Sequence, residues 1–149
     1  MSCNNILFKS DTDLKNSLNK IFYCCVRCLN IGRSQKAAET RKYTNTKPEL
    51  KFAEKLKEYN IDYCIQYWIE WKRGWKKFYD FYLPNIDTLI EIDGTYWHGK
   101  NLNDDQLNET QTHTRNNDKI KNELALSQNY KLIRIWADEI DNFDFNILI

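Results

Sequence analysis

The segment Phe78–Gly99, FYDFYLPNIDTLIEIDGTYWHG, gathers three carboxylates and an imidazole in a short stretch. Asp80 sits mid-strand among aromatics, and Glu91 and Asp93 stand two apart on the next apolar run. Residues two apart on a strand project from one face. If the strands carrying Asp80 and Glu91 pair, the three carboxylates meet at one place. Acidic groups so placed repel one another and resist desolvation unless a cation lies between them. All-oxygen ligands suit hard cations such as magnesium or manganese. His98 follows Asp93 by five residues, and an imidazole exchanges a proton near neutral pH. A cation and a proton acceptor supply what phosphodiester hydrolysis needs, an activated water and stabilisation of gathering negative charge. Taken singly, each of these residues also fits a solvated sheet surface; their combination is what points to a metal site.

The elements that must position these groups follow from the pattern around them. Thr46-Lys47-Pro48-Glu49 has the form of a capping box with proline in the first turn. Leu50, Phe52, Ala53, Leu56 and Tyr59 then give an apolar face at helical spacing, ending near Asn60. Tyr63–Trp71 and Lys77–Leu83 are rich in aromatic and β-branched residues and read as a hairpin about Arg73-Gly74. Pro84-Asn85 turns the chain into a third strand, Thr88–Asp93. The polar residues 99–112 read as a loop. Arg115–Ser127 predicts a helix with Ile120 and Leu124 on one face, Tyr130–Trp136 a fourth strand, and Asp138–Ile140 the start of a short final helix. The order α-β-β-β-α-β predicts an α/β fold, a mixed sheet with helices packed on it.

A chain of 149 residues accommodates one layered domain. It is placed at residues 46–149, behind a basic N-terminal arm of residues 1–45 with a short helix near Asp13–Phe22 and a basic stretch at Arg33–Tyr43. The net charge of +1 conceals an asymmetry: residues 1–79 hold 16 Lys and Arg against 8 Asp and Glu, and residues 80–149 hold 6 against 13. A basic half suggests a surface for a polyanion, and an acidic half suggests metal ligation, although two solvated faces would show the same balance. No apolar run approaches the roughly 20 residues that span a membrane, and no leader-like stretch opens the chain, so a cytoplasmic protein without a membrane partner is expected. The five cysteines are odd in number and form no disulfide framework. Cys25-Val26-Arg27-Cys28, beside Cys24, is half of a zinc site with no second pair following. Zinc at Cys24, Cys25 and Cys28 is therefore not expected, and the arm reads as a degenerate finger; zinc shared across a homodimer is the one arrangement that would complete it.

With these pieces in place the chain resembles the restriction-endonuclease-like, or PD-(D/E)xK, superfamily. Within it, it is most similar to the very-short-patch repair endonucleases and the phage homing endonucleases with an EDxHD motif. The resemblance is carried by Lys47-Pro48-Glu49, by Tyr79-Asp80-Phe81 and by Asp93-Gly94-Thr95-Tyr96-Trp97-His98. Arg115–Asp118 and Leu132-Ile133-Arg134-Ile135-Trp136 complete it, over about residues 46–140. It implies a restriction-endonuclease-like core and a magnesium- or manganese-dependent endonuclease acting on DNA. Asp80 would be the principal metal ligand, with Glu91 or Asp93 holding the metal or its waters. His98 would be general base or acid, Glu49 would order a water from the first helix, and Asp118 would orient His98. Glu49 closing its capping box and Asp118 complementing a helix dipole are the plainer readings of those two residues.

Two departures shape the expectation. The superfamily's lysine is Asp93 here, which leaves Lys119, Lys121 or Arg134 as the charge partner of the scissile phosphate. Thr95 and Lys100 stand where the patch-repair enzymes hold a structural zinc, so that zinc is not expected and the mobile-element, phage or virus side of the group is favoured. DNA contacts are expected from Arg73, Trp75, Lys76 and Lys77 on the hairpin and from Arg115, Lys119 and Arg134. The rival readings are a DNA-binding protein of the same fold without catalysis, a structure- or mismatch-specific repair nuclease, and an interaction module with no nucleic-acid role, which predicts no salt-sensitive DNA binding.

Overall fold

The computed structural model describes residues 46–149 together with Ile31. The expected helix near Asp13–Phe22, the basic stretch and Cys24, Cys25 and Cys28 lie outside the described residues. Helix α1 (Lys47–Glu58) is followed by β1 (Cys64–Lys72), β2 (Trp75–Leu83), β3 (Thr88–Asp93), helix α2 (Glu109–Ser127) and β4 (Lys131–Trp136). Short 3-10 turns cover Asp104–Gln106, Ile140–Asn142 and Phe145–Leu148. The sheet order is β1-β2-β3-β4; the first two pairings are antiparallel, and β3 runs parallel to β4 with α2 as the crossover. This is a mixed four-stranded α/β sheet, as the alternation of apolar patterns predicts.

Two apolar cores lie on opposite faces of the sheet, because Leu89 and Ile90, neighbours on β3, belong to different ones. Phe52 and Leu56 of α1 pack on Phe81, Leu83, Ile90 and Ile135. Leu124 and Ala125 of α2 pack with Tyr67, Tyr79, Tyr82 and Leu89 on the other side. Burial on both faces explains why β3 reads as a continuous apolar run rather than an alternating one.

Helix α1 starts where its cap says it should: Thr46 Oγ1 accepts from the Glu49 amide and donates to Glu49 Oε1 at 2.8 Å. Helix α2 begins at Glu109, six residues before the expected Arg115. Asn108 and Gln111 form a reciprocal capping box there, and the polar first turns carry no apolar period to announce them. The expected final helix resolves into the two 3-10 turns, which bury Ile140, Phe145 and Leu148 against α1.

The hairpin turns at Arg73-Gly74, where Gly74 has φ +82° and open space around the position a Cβ would take. Gly74→Ala therefore meets no atom and carries only the left-handed backbone penalty of about 1 kcal/mol. Urea denaturation is expected to show that loss with an unchanged m-value; a loss several times larger would mean that the turn is packed against something.

Candidate active site

Sheet geometry makes the site before any side chain does. β2 pairs with β3 only at Phe81↔Ile90, Tyr82↔Leu89 and Leu83↔Thr88. Beyond these pairs β2 continues with β1, β3 continues with β4, and the sheet forks. The fork begins at Asp80 and Glu91. Ile65 and Phe81 pack on the α1 side, whereas Tyr67 and Tyr79 pack on the α2 side. Strict alternation would put all four on one face, so both strands turn over at Gln66 and Asp80, with Gln66 at φ +50°. Asp80 is thereby aimed into the fork, where its Oδ2 accepts from the Ile92 amide at 2.8 Å, replacing a ladder bond.

The sequence-predicted acids gather here. Lys121 Nζ donates to Glu91 Oε2 at 2.5 Å, while Glu91 Oε1 is buried without a hydrogen-bond partner among the described residues. Burial pushes the Glu91 carboxyl up to about 7, with Lys121 pulling it down and Asp80 pushing it further up. Asp80 is raised by burial, against the Ile92 amide and Lys121, which lower it, with Asp93 adding to the rise. Glu49, buried at the start of α1, is raised by burial and next by the charge on Asp80. These acids thus feel one another, as expected of groups arranged around a cation.

Asp93 takes another part. Arg134 grips it with two bonds, Nε to Oδ2 at 2.7 Å and Nη2 to Oδ1 at 2.6 Å. The same Nη2 donates to Asp118 Oδ1 at 2.8 Å, and Asp118 Oδ2 lies 2.7 Å from His98 Nδ1. His98 Nε2 in turn stands 3.6 Å from Asp93 Oδ1. Imidazole, carboxylate, guanidinium and carboxylate form a bonded chain, with Nε2 near Asp93 but not hydrogen-bonded to it. With Asp118 accepting at Nδ1, neutral His98 presents Nε2 as a bare acceptor. Burial works against the charge on Asp118, but its bonds from His98 and Arg134 hold the carboxyl below the ordinary range.

Among the described residues no three His, Cys, Asp or Glu side chains form a ready-made metal cage. Arg134 takes both oxygens of Asp93, and Lys121 takes one of Glu91. The oxygens that could still take a ligand are Asp80 Oδ1, which makes no hydrogen bond among the described residues, and the unpartnered Glu91 Oε1. Glu49 is near enough to Asp80 to be raised by its charge.

Helix α2 serves the site with one face. Gln111 Nε2 donates to Tyr96 O at 2.7 Å, and Arg115 donates to the carbonyls of His98, Gly99 and Leu102. Asp118 holds the imidazole and Lys121 the Glu91 carboxylate. These positions recur every three or four residues, the spacing of a single helical stripe. Arg115 and Arg134, expected on DNA, are used within the protein: Arg115 donates to loop carbonyls and Arg134 to the Asp93 and Asp118 carboxylates. Lys119 is exposed on α2, and Arg73, Trp75 and Lys76 are exposed on the hairpin, while Lys77 is half-buried and bonded to Asn117. Lys100, at a position where zinc ligation was discounted, bonds Asp138 and Glu139 instead, tying the loop to the end of β4. Gln111 was missed, although its place in an Asn-x-x-Gln box was legible.

No family model, curated protein or solved structure matches this chain.

Proposed function

We propose that this protein is a metal-dependent DNA endonuclease of restriction-endonuclease-like type, hydrolysing phosphodiester bonds. The observation that carries the reading is the fork between β2 and β3. It brings together Asp80, half-buried with one oxygen that makes no hydrogen bond among the described residues, and Glu91 with its buried, unpartnered Oε1, while Asp93 at the end of β3 lies beside an imidazole held by Asp118. The α-β-β-β-α-β succession and the mixed sheet support it. A magnesium or manganese ion held by Asp80 and Glu91 would polarise the scissile phosphate and lower the cost of its gathering charge.

The chain's own residues account for the rest. Asp118 keeps the Nδ1 proton of His98 in place, so Nε2 takes the proton of the attacking water as the new P–O bond forms; the bond to the sugar oxygen breaks and that oxygen takes a proton from solvent water. Arg134 fixes Asp118 and Asp93 together and so holds the imidazole at its working angle. Lys121 brings a cation to the fork from α2, the charge that the strand lacks at Asp93.

A rival reading draws on the same contacts. Lys121 and Arg134 partly neutralise the acids, as in a DNA-binding protein of this fold that has lost catalysis. Supercoiled plasmid separates the two. Nicking or linearisation in magnesium or manganese, abolished by EDTA, is the expected result. Folded protein that binds plasmid but leaves it intact with either metal, on mismatched and branched substrates as well, would establish the rival.

A further inference from the structure

The β1–β2 hairpin outruns the sheet. From Tyr67↔Tyr79 to Lys72↔Trp75 its two strands pair only with each other, past the last β2–β3 pair. Its base is pinned to α2 by Lys77 Nζ on Asn117 and by the Tyr79 hydroxyl on the Lys121 carbonyl. Its tip is a two-stranded ribbon.

The ribbon's charge is one-sided. Residues 68–79 contain four cations, Lys72, Arg73, Lys76 and Lys77, and one acid, Glu70. That acid is used internally, since Glu70 Oε1 accepts from the Gly74 amide at 3.1 Å and closes the turn. The lysines are held against indoles: Lys76 lies 3.9 Å from the Trp68 ring centre, and Lys72 and Lys77 lie 4.3 and 4.7 Å from that of Trp71. Such stacking steadies a long side chain while its ammonium stays at the surface. Trp75 stands 69% exposed at the tip. Lys72, Arg73 and Lys76 are exposed, and with Glu70 as the ribbon's single acid, opposite Lys76 in the register, the balance of charge suits a polyanion.

We propose that this ribbon docks in the major groove of duplex DNA and sets where the chain cuts; the cutting rests on the endonuclease reading above. B-form DNA has a major groove wide enough for a two-stranded ribbon, whereas the A-form groove of double-stranded RNA is too narrow to admit one. At about 3.3 Å per residue along β2, Gly74 stands up to about 20 Å from Asp80. At about 3.4 Å per nucleotide that is about six base pairs. The ribbon therefore grips the duplex within about six base pairs of the bond that Asp80 addresses.

The test is binding of a labelled 30-base-pair DNA duplex in EDTA across a salt series, for the wild type and the triple variant Lys72→Gln, Arg73→Gln, Lys76→Gln. Each lost phosphate contact reduces the slope of log affinity against log salt by about 0.9, so the triple variant is expected to lose two to three contacts' worth of slope. Circular dichroism and the urea midpoint confirm its fold. On DNA that the wild type cuts, the hydroxyl-radical protection lost in the triple variant is expected within about six base pairs of the cut. An unchanged slope, or equal or tighter binding to double-stranded RNA, overturns the ribbon's role and leaves the endonuclease reading standing. A reduced slope in a protein that never cuts plasmid supports the ribbon and overturns the endonuclease reading.

Discussion

Asp80→Asn is expected to abolish the proposed magnesium-dependent plasmid cleavage, by about a thousandfold or more, while leaving the protein at least as stable in EDTA as the wild type. The two halves come from one geometry. Asp80 is the carboxylate with an open oxygen in the fork, and removing its charge forfeits several kcal/mol of stabilisation in the transition state. Asparagine keeps the oxygen that accepts from the Ile92 amide, so the sheet keeps its substitute ladder bond. It also removes a charge that burial and Asp93 make costly and that raises Glu49 and Glu91 in turn. Cleavage rates and the urea midpoint in EDTA read both. Cleavage that survives would move the cation away from Asp80, and a large loss of stability would mean that its charge, not its hydrogen bond, holds the fork.

Lys121→Met is the second change of large effect, and its signature is a dependence on pH. In the wild type Glu91 is pushed up to about 7 by burial, with Lys121 as the main influence holding it down. Without Lys121 the carboxyl rises further. A carboxyl whose folded pKa lies above its unfolded value lends stability at low pH and withdraws it as the pH climbs through the folded pKa. At pH 5.5 Glu91 is protonated in both proteins, and the variant is expected to lose about 1 kcal/mol, the cost of exchanging one contact. Above pH 7 the wild type holds an ionised Glu91 against Lys121, whereas the variant must bury that charge alone or keep it protonated. The loss is expected to grow to about 3 kcal/mol at pH 8.5. Urea titrations at the two pH values, with EDTA throughout, decide it. An equal loss at both would mean that Glu91 does not need Lys121 to carry its charge.

The strands were legible because burial forces alternation or continuous apolar runs, and the turn at Arg73-Gly74 because glycine there supplies a positive φ. Asp80, Glu91, His98 and Asp118 stood out in the sequence through type and spacing; in the structure His98 bonds Asp118, and Asp80 and Glu91 flank the fork close enough to feel each other's charge. What the sequence concealed was the pairing: that Arg134 would clasp Asp93 and Lys121 would clasp Glu91. Those bonds depend on the parallel crossover that lays α2 and β4 beside β3, and no local pattern encodes the rotation of α2 about its axis. One trace existed. Lys121 is buried where the helical period asks for an apolar residue, and a charge at such a position needs a partner. The start of α2 escaped for the opposite reason. Its first turns bury polar groups such as Gln111 for their hydrogen bonds, so an apolar periodicity never arises there.

The stripe of Gln111, Arg115, Asp118 and Lys121 also governs how this chain can change its length. One residue inserted anywhere between the first and the last turns every later member about 100° around the helix axis. The loop carbonyls, the imidazole and the buried carboxylate would lose their partners together. Asn103–Leu107, just upstream, carries no such linkage: its one tie to the stripe is the exposed Arg115–Asp104 pair. Length variation among descendants of this sequence belongs in that short segment and at the ribbon's tip, whereas the distance from Gln111 to Lys121 stays fixed even where the residues between them drift.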